Sequence, residues 1–199
     1  MSTTFLLIRH AACELMDEIL VGRTHDVSLS DIGRSQAQAL GARLRADAPN
    51  VLHVSPRLRA QQTATAIASG TNTLVETDPS FDEVDFGAWS GQSFHSLQED
   101  ECWRQWNAER SLARAPQGET IHDVEQRVIA RLRRLRDTYE GGRVAIVTHA
   151  EIVRTILYHY LGISLDRWWL MEVSPASVTT LIQRVDRTTV VAVNERLAS

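Results

Sequence analysis

Two short apolar runs constrain this chain most. Thr4-Phe5-Leu6-Leu7-Ile8 ends in Arg9-His10, and Val144-Ala145-Ile146-Val147-Thr148 ends in His149. Runs of this length and composition read as strands buried inside a sheet. Each delivers a histidine where a strand would give way to a loop. In an open α/β sheet ligands bind beyond the carboxyl ends of the strands, so two imidazoles distant in the chain can meet in one pocket.

The rest of the sequence alternates similar runs with segments of helical period, the pattern of an α/β fold with a mostly parallel sheet. Strands are expected at 4–9, 50–54, 73–76, 143–148, 177–184 and 188–193, the last two forming a terminal hairpin split by Asp186-Arg187. Ser30 is an N-cap candidate for a helix running through Ala37, Leu40 and Leu44 to Pro49. A second helix is expected over 57–69. Ile121, Val124, Val128, Leu132 and Leu135 predict a long amphipathic helix over 119–139, ended by Gly141-Gly142. Its arginines at 127, 131 and 134 read as a solvated face, not a nucleic-acid surface, because acidic residues interrupt the run. Residues 78–117 are less regular and carry Phe81, Phe86, Trp89, Phe94, Trp103 and Trp106. They read as an insertion that either covers a pocket or packs into the core.

A chain of 199 residues is long enough for one domain with a substantial core, so 1–199 is expected to be a single domain. Its 43% hydrophobic content, net charge of -4 and pI near 6.0 are those of an ordinary soluble protein. No apolar stretch approaches the ~18 residues of a membrane span, and no signal peptide precedes the first strand. Cys13 and Cys102 suggest neither a disulfide framework nor a zinc site, so the cytoplasm is expected. All 21 basic residues are arginine. That removes lysine Schiff-base chemistry and a P-loop, and leaves phosphate recognition to guanidinium groups, whose planar donors grip two oxygens at once.

Four ordered segments carry a family resemblance: Arg9-His10, then Ser55-Pro56-Arg57-Leu58-Arg59-Ala60-Gln61-Gln62-Thr63-Ala64, then Asp82-Glu83-Val84-Asp85-Phe86-Gly87-Ala88-Trp89-Ser90-Gly91, then Val147-Thr148-His149-Ala150. Gly22-Arg23-Thr24 and Leu29-Ser30-Asp31-Ile32-Gly33-Arg34-Ser35-Gln36-Ala37 support it. Together they resemble the signatures of the histidine phosphatase superfamily, in its phosphoglycerate-mutase-like branch. The resemblance implies a three-layer α/β/α fold with the aromatic-rich insertion over the active site. It also implies phosphoryl transfer through a phosphohistidine. His10 would be the nucleophile, and Arg9, Arg59 and His149 would clamp the phosphate oxygens. Glu83 would be the proton donor, and Arg23 a second anionic contact near the pocket mouth. Positioning and fixed positive charge are what phosphoryl transfer asks of a protein. Two guanidinium groups near His10 would keep it neutral and nucleophilic. No metal and no cofactor are expected.

In an extended segment Asp85 would share a face with Glu83 and favour its protonated form. Asp82 and Asp85 have no assigned role. His25, His53, His95, His122 and His159 lack comparable context and read as surface or packing residues. The chain departs from the family at Ala11 and Ala150, where glycine is usual, and at Cys13 and Met16, where threonine and asparagine are frequent. Alanine loses positive-φ freedom, so the loop path could differ. Cys13 reads as a small buried hydrophobe, with an acidified thiol near the arginines as the alternative. Ser90 replaces a frequent glutamate without a consequence derivable from the sequence.

These residues point to a metal-independent phosphomonoesterase acting on a small phosphorylated metabolite. The alternatives are a phosphoglycerate mutase, disfavoured because little sequence follows the last strand to close the site, and a catalytically silent phosphate-binding regulatory module. The expected partner is a small phosphate ester, with neither nucleic acid nor membrane. The chain is read as a monomer or a homodimer.

Overall fold

All six expected strands join one sheet. They span Thr3–Arg9 (β1), Val51–Val54 (β2), Leu74–Thr77 (β3), Arg143–Thr148 (β4), Val178–Gln183 (β5) and Thr188–Glu195 (β6), in the order β3-β2-β4-β1-β5-β6. The structure is a computed structural model that describes residues 1–23 and 27–196. Thr24 and His25 therefore lie outside the described residues. Strands β1 to β4 run parallel, and β5 and β6 add an antiparallel hairpin beside β1.

The helices are Asp31–Leu44 (α1), Leu58–Thr71 (α2), Phe94–Glu99 (α3), Glu101–Ala108 (α4), Ile121–Thr138 (α5) and Ala150–Leu161 (α6). Side chains alternate across the pleat of β1. Leu6 and Ile8 pack with Ala37, Leu40 and Ile67 of α1 and α2, while Phe5 and Leu7 pack with Val128, Leu132 and Ile156 of α5 and α6. This gives the expected α/β architecture, a mostly parallel sheet with helices on both faces.

Helix placement creates the site. Neighbouring strands β1 and β4 are paired in parallel, yet the chain leaves β1 for α1 on one face and β4 for α6 on the other. A crevice opens where adjacent strands send their connections to opposite faces, at the carboxyl end of the sheet. His10 and His149 follow those two strand ends.

Three elements differ from expectation. α1 stops at Leu44 and tightens into a 3-10 turn over Arg45–Asp47 before Pro49. α6 is not among the expected helices. It carries polar residues at helical spacing, Glu151, Arg154, Thr155, Tyr158 and His159, on a helix whose Ile152, Val153, Ile156 and Leu157 are buried. Residues 78–117 are more ordered than expected, with 3-10 turns at Pro79–Phe81 and Gly87–Trp89 ahead of α3 and α4. Among the described residues no helix is long and apolar enough to cross a membrane.

The loop after His10 is fixed by the first turn of α1. Ser30 caps that helix by accepting from the Gly33 amide at 3.1 Å. The Ala12 carbonyl accepts from the Ser30 amide at 3.1 Å. A Cβ on Gly33 would lie 1.8 Å from that same carbonyl oxygen, so only glycine permits this approach. Gly33→Ala is expected to cost about 1–3 kcal/mol of stability. Differential scanning calorimetry checks this through a fall in Tm of about 2–4 °C per kcal/mol.

Candidate active site

The parallel register sets Arg9 beside Thr148, and the His10 amide donates to the Thr148 carbonyl at 2.8 Å. The two imidazoles consequently sit edge to face, with ring centroids 5.2 Å apart at 64°. Both are buried, as is Arg59 from the first turn of α2. Arg59 ties them together. Its Nε donates to His10 Nε2 at 3.2 Å, and its Nη2 lies 3.1 Å from His149 Nδ1.

A guanidinium only donates, so these contacts assign both rings. His10 Nε2 is an acceptor, leaving Nδ1 to carry the proton and donate to the Ala11 carbonyl at 2.8 Å. His149 Nδ1 is likewise the acceptor, and its Nε2 donates to Ser55 Oγ at 2.7 Å. Ser55 Oγ in turn donates to Asp82 Oδ1 at 3.3 Å. Asp82 also pairs with Arg57 Nε at 2.9 Å and accepts from the Glu83 amide at 2.8 Å. Thus Asp82, left without a role by the sequence, anchors both the relay behind His149 and the backbone of Glu83.

Burial is the largest influence on both histidines. It lowers each imidazole well below its ordinary range, and Arg59 and Arg9 push in the same direction. Glu83 is pushed up to about 7, chiefly by burial against the opposing charge of Arg59. The neighbouring carboxylate that raises it is Glu151, not the expected Asp85. The Asp85 carboxylate turns away to accept from the Gly87 amide at 2.9 Å. Glu83 Oε2 lies 3.6 Å from His149 Nδ1, which places a proton-carrying carboxyl at the histidine pair.

Arg9, His10, Arg59 and Glu83 line one cavity of about 260 Å³, which continues outward along Met16, Leu20, Phe86 and Trp103. Arg9 donates from Nη1 to the Val173 carbonyl at 2.6 Å and from Nη2 to Met16 Sδ at 3.4 Å. Among the described residues Arg9 Nε and Arg59 Nη1 are buried donors without a partner, as an anion site leaves them. Arg23 is placed differently from expectation. It does not line this cavity; its Nε donates to the Glu83 carbonyl at 2.6 Å and its Nη2 to Glu119 at 2.9 Å. Arg127 donates to the same two groups, each at 3.1 Å, and Arg131 donates to Asp78 at 2.5 Å. Two of the three arginines expected to be solvated, Arg127 and Arg131, are therefore half-buried struts near Glu83 and Asp78, and Arg134 is exposed as expected.

The departures at Ala11 and Ala150 cause no backbone strain, since neither residue has positive φ. Cys13 lines the cavity, and burial raises its thiol despite the nearby charges of Arg59 and Arg9, which matches a small hydrophobe. Ser90 lies against Gly22, where an added Cβ would meet its Oγ at 2.6 Å. Of the histidines outside the site, His53 is buried against Tyr139, and His95 and His122 are exposed. His159 pairs with Glu125 at 2.9 Å. Sequence reasoning also missed Ser55, Arg110 and Glu151, the last two because they meet each other across 41 residues of chain. Among the described residues no cluster of three His, Cys, Asp or Glu side chains is placed to hold a metal ion.

Nitrogen NMR of His149 in the ligand-free protein is expected to show a protonated Nε2 and an unprotonated Nδ1, with Ser55→Ala weakening that preference. Protonation at Nδ1 instead would contradict the contact with Arg59.

A family model described as the histidine phosphatase superfamily (branch 1) matches residues 5–196. Phosphoserine phosphatase 1 of Hydrogenobacter thermophilus is 29% identical over 194 residues, which cover 95% of this chain and 90% of that protein. A protein named probable phosphoglycerate mutase GpmB, from Cronobacter sakazakii, is 28% identical over 159 residues, or 79% of this chain and 74% of its own. Among solved structures, Bacillus stearothermophilus YhfR matches with a TM-score of 0.91 at 26% identity, over 98% of each chain.

Proposed function

The chain belongs to branch 1 of the histidine phosphatase superfamily and is a phosphoric monoester hydrolase, and from that premise we propose that it cleaves a small phosphorylated metabolite through a phosphohistidine on His10 without a metal ion. One observation carries this reading. His10 presents an unprotonated Nε2 at the inner end of the cavity, with its proton held on the opposite nitrogen by the Ala11 carbonyl. A cavity of about 260 Å³ lies just under the usual range of roughly 300–1,000 Å³, which fits a small ester.

In the first step His10 Nε2 attacks phosphorus, the Nε2–P bond forms and the P–O ester bond breaks. Glu83, protonated in part near neutrality, gives its proton to the departing alkoxide. Water then attacks phosphorus, Glu83 takes a proton from it, and the Nε2–P bond breaks to release phosphate. Arg9 and Arg59 stabilise the charge on the non-bridging oxygens, the work a metal would otherwise do. His149, whose Nδ1 is an acceptor in the ligand-free protein, joins them as a donor once the bound phosphate shifts a proton onto Nδ1. Arg59 changes partners in this account, from the two imidazoles to the phosphate. Arg23 serves as support for Glu83. Residues 1–199 act as one unit in which 78–117 cover the cavity. The proposed partner is the small phosphate ester alone, with no nucleic acid and no membrane, and the proposed compartment is the cytoplasm, where the two free cysteines would stay reduced.

Hydrolysis of a generic aryl phosphate is expected to survive a metal chelator and to vanish in His10→Ala. Interchange of 2- and 3-phosphoglycerate without phosphate release would identify a mutase instead. With an alkyl phosphate, the rate of the first step is expected to fall about tenfold per pH unit above about 7, as Glu83 loses the proton it must donate. On the acid side the rate should hold to well below 6.5, because His10 stays neutral there. Glu83→Gln should lower kcat by about 10²–10⁴-fold for the alkyl ester. The loss should be smaller for p-nitrophenyl phosphate, whose leaving group needs no proton. A pH profile unchanged by Glu83→Gln would remove Glu83 from this role.

A further inference from the structure

The wall of the cavity carries a charged cluster that the reaction described above does not use. Arg110 lines the cavity and is 5% exposed. Its Nη1 donates to Glu151 at 2.5 Å and its Nη2 to Asn107 Oδ1 at 3.1 Å. Glu151 accepts a second guanidinium, that of Arg154, at 2.6 Å. Both guanidinium groups lie over the Trp168 ring, 4.4 and 5.8 Å from its centre. Asn107 is fixed in turn, donating to the Trp103 carbonyl at 2.9 Å and accepting the Trp168 indole N–H on its own carbonyl at 3.0 Å. Arg110 is thus held in one pose before a ligand arrives, so binding to it loses little side-chain freedom.

Two properties of this cluster are left unsatisfied. The first is charge. Two guanidinium groups share one carboxylate, and their direct bonds hold Glu151 down at about 2, so it stays ionised and the cluster keeps a net positive charge. A bound phosphate draws on Arg9 and Arg59 and leaves this charge over. The second is a donor. Among the described residues Arg110 Nε is buried without an acceptor, although Nη1 and Nη2 each have one. A buried donor on a charged group is costly to leave unpaired. An acceptor brought to Nε by a ligand would pair it without displacing Glu151 or Asn107. One surplus charge and one unpaired nitrogen match a singly charged group that offers an oxygen. A carboxylate meets both conditions, whereas a second phosphate dianion brings one charge too many.

Resting on the phosphomonoesterase reading above, we propose that Arg110 forms a second anion subsite in the same cavity, and that the preferred substrates are phosphate esters of small hydroxy acids. Their carboxylate pairs with Arg110 while the ester phosphate lies at His10. Glu151, Arg154 and Asn107 act as positioning residues that hold Arg110 in place.

The test compares each phosphorylated acid with the alcohol of the same length: phosphoglycolate with 2-hydroxyethyl phosphate, and 3-phosphoglycerate with glycerol 3-phosphate. Each ester releases a primary alcohol, so the ratio of kcat/KM within a pair reports recognition of the carboxylate. The acid is expected to be preferred by about ten- to hundredfold in at least one pair, the effect of a hydrogen bond between charged groups. Arg110→Gln should abolish that preference. Glu151→Gln, which removes the negative charge of the cluster, should raise it. Both esters of a pair depend alike on His10 and Glu83, so a merely structural loss in either variant would lower both rates and leave the ratio unchanged. Acids hydrolysed no faster than their alcohols in both pairs, or a ratio that neither substitution moves, would overturn the inference and leave the phosphatase reading intact. Failure to hydrolyse any ester, p-nitrophenyl phosphate included, would overturn both.

Discussion

The parallel pairing of β1 with β4 brings two chain segments out of the sheet at one height, and with α1 and α6 on opposite faces neither exit is covered. A shift of one residue in that register would turn Arg9 and Thr148 to the wrong faces and separate the imidazoles. Because the register holds, one guanidinium can touch both rings. Arg59 reaches them from the first turn of α2, and that turn is tied back to the His10 loop. Thr63 Oγ1 donates to the Arg59 carbonyl at 2.8 Å and accepts from the Ala11 amide at 3.1 Å. The glutamines beside it do similar work. Gln62 accepts from the Leu29 amide at 2.8 Å, and Gln61 donates to the Ser55 carbonyl at 2.8 Å.

Two buried glutamates show what decides a carboxylate's proton affinity in this site. Glu151 receives direct bonds from Arg110 and Arg154, and these outweigh burial and hold it down at about 2. Glu83 feels Arg59 and Arg9 through space, while among the described residues its side chain accepts only from the Val84 amide at 2.9 Å, so burial wins and raises it to about 7. Contact, not proximity, separates the two cases. Cys13 follows the same rule, near arginines but raised by burial. The arrangement keeps one carboxyl able to exchange a proton near neutrality and uses the other to hold two guanidinium groups in place.

Much of this was legible in the chain because it depends on local order. The apolar runs, the Ser30 cap and the ordered motifs around His10, Arg59, Glu83 and His149 are continuous in sequence. What was hidden depends on partners distant in sequence. Arg127 looked like a surface charge because Glu119, Ser80 and Glu83, which it grips, lie on other segments. Arg23 looked available because its partner Glu119 is 96 residues away. An extended segment would set Asp85 on the face of Glu83, but the chain turns at Gly87, with a φ of +50°, and the Asp85 carboxylate accepts from the Gly87 amide instead. Helix α6 was legible in the Glu151, Arg154, Thr155 and Tyr158 spacing, and its start directly after the β4 strand end left it without a turn signal to mark it.

The central claim is that Nε2 of His10 carries the phosphoryl group. Acid-free quenching during turnover, followed by phosphorus NMR and mass spectrometry of the trapped enzyme, tests it directly. The account requires one phosphoryl group on His10, bonded to Nε2. Phosphate on Nδ1, on His149, or on no residue while hydrolysis proceeds would contradict it.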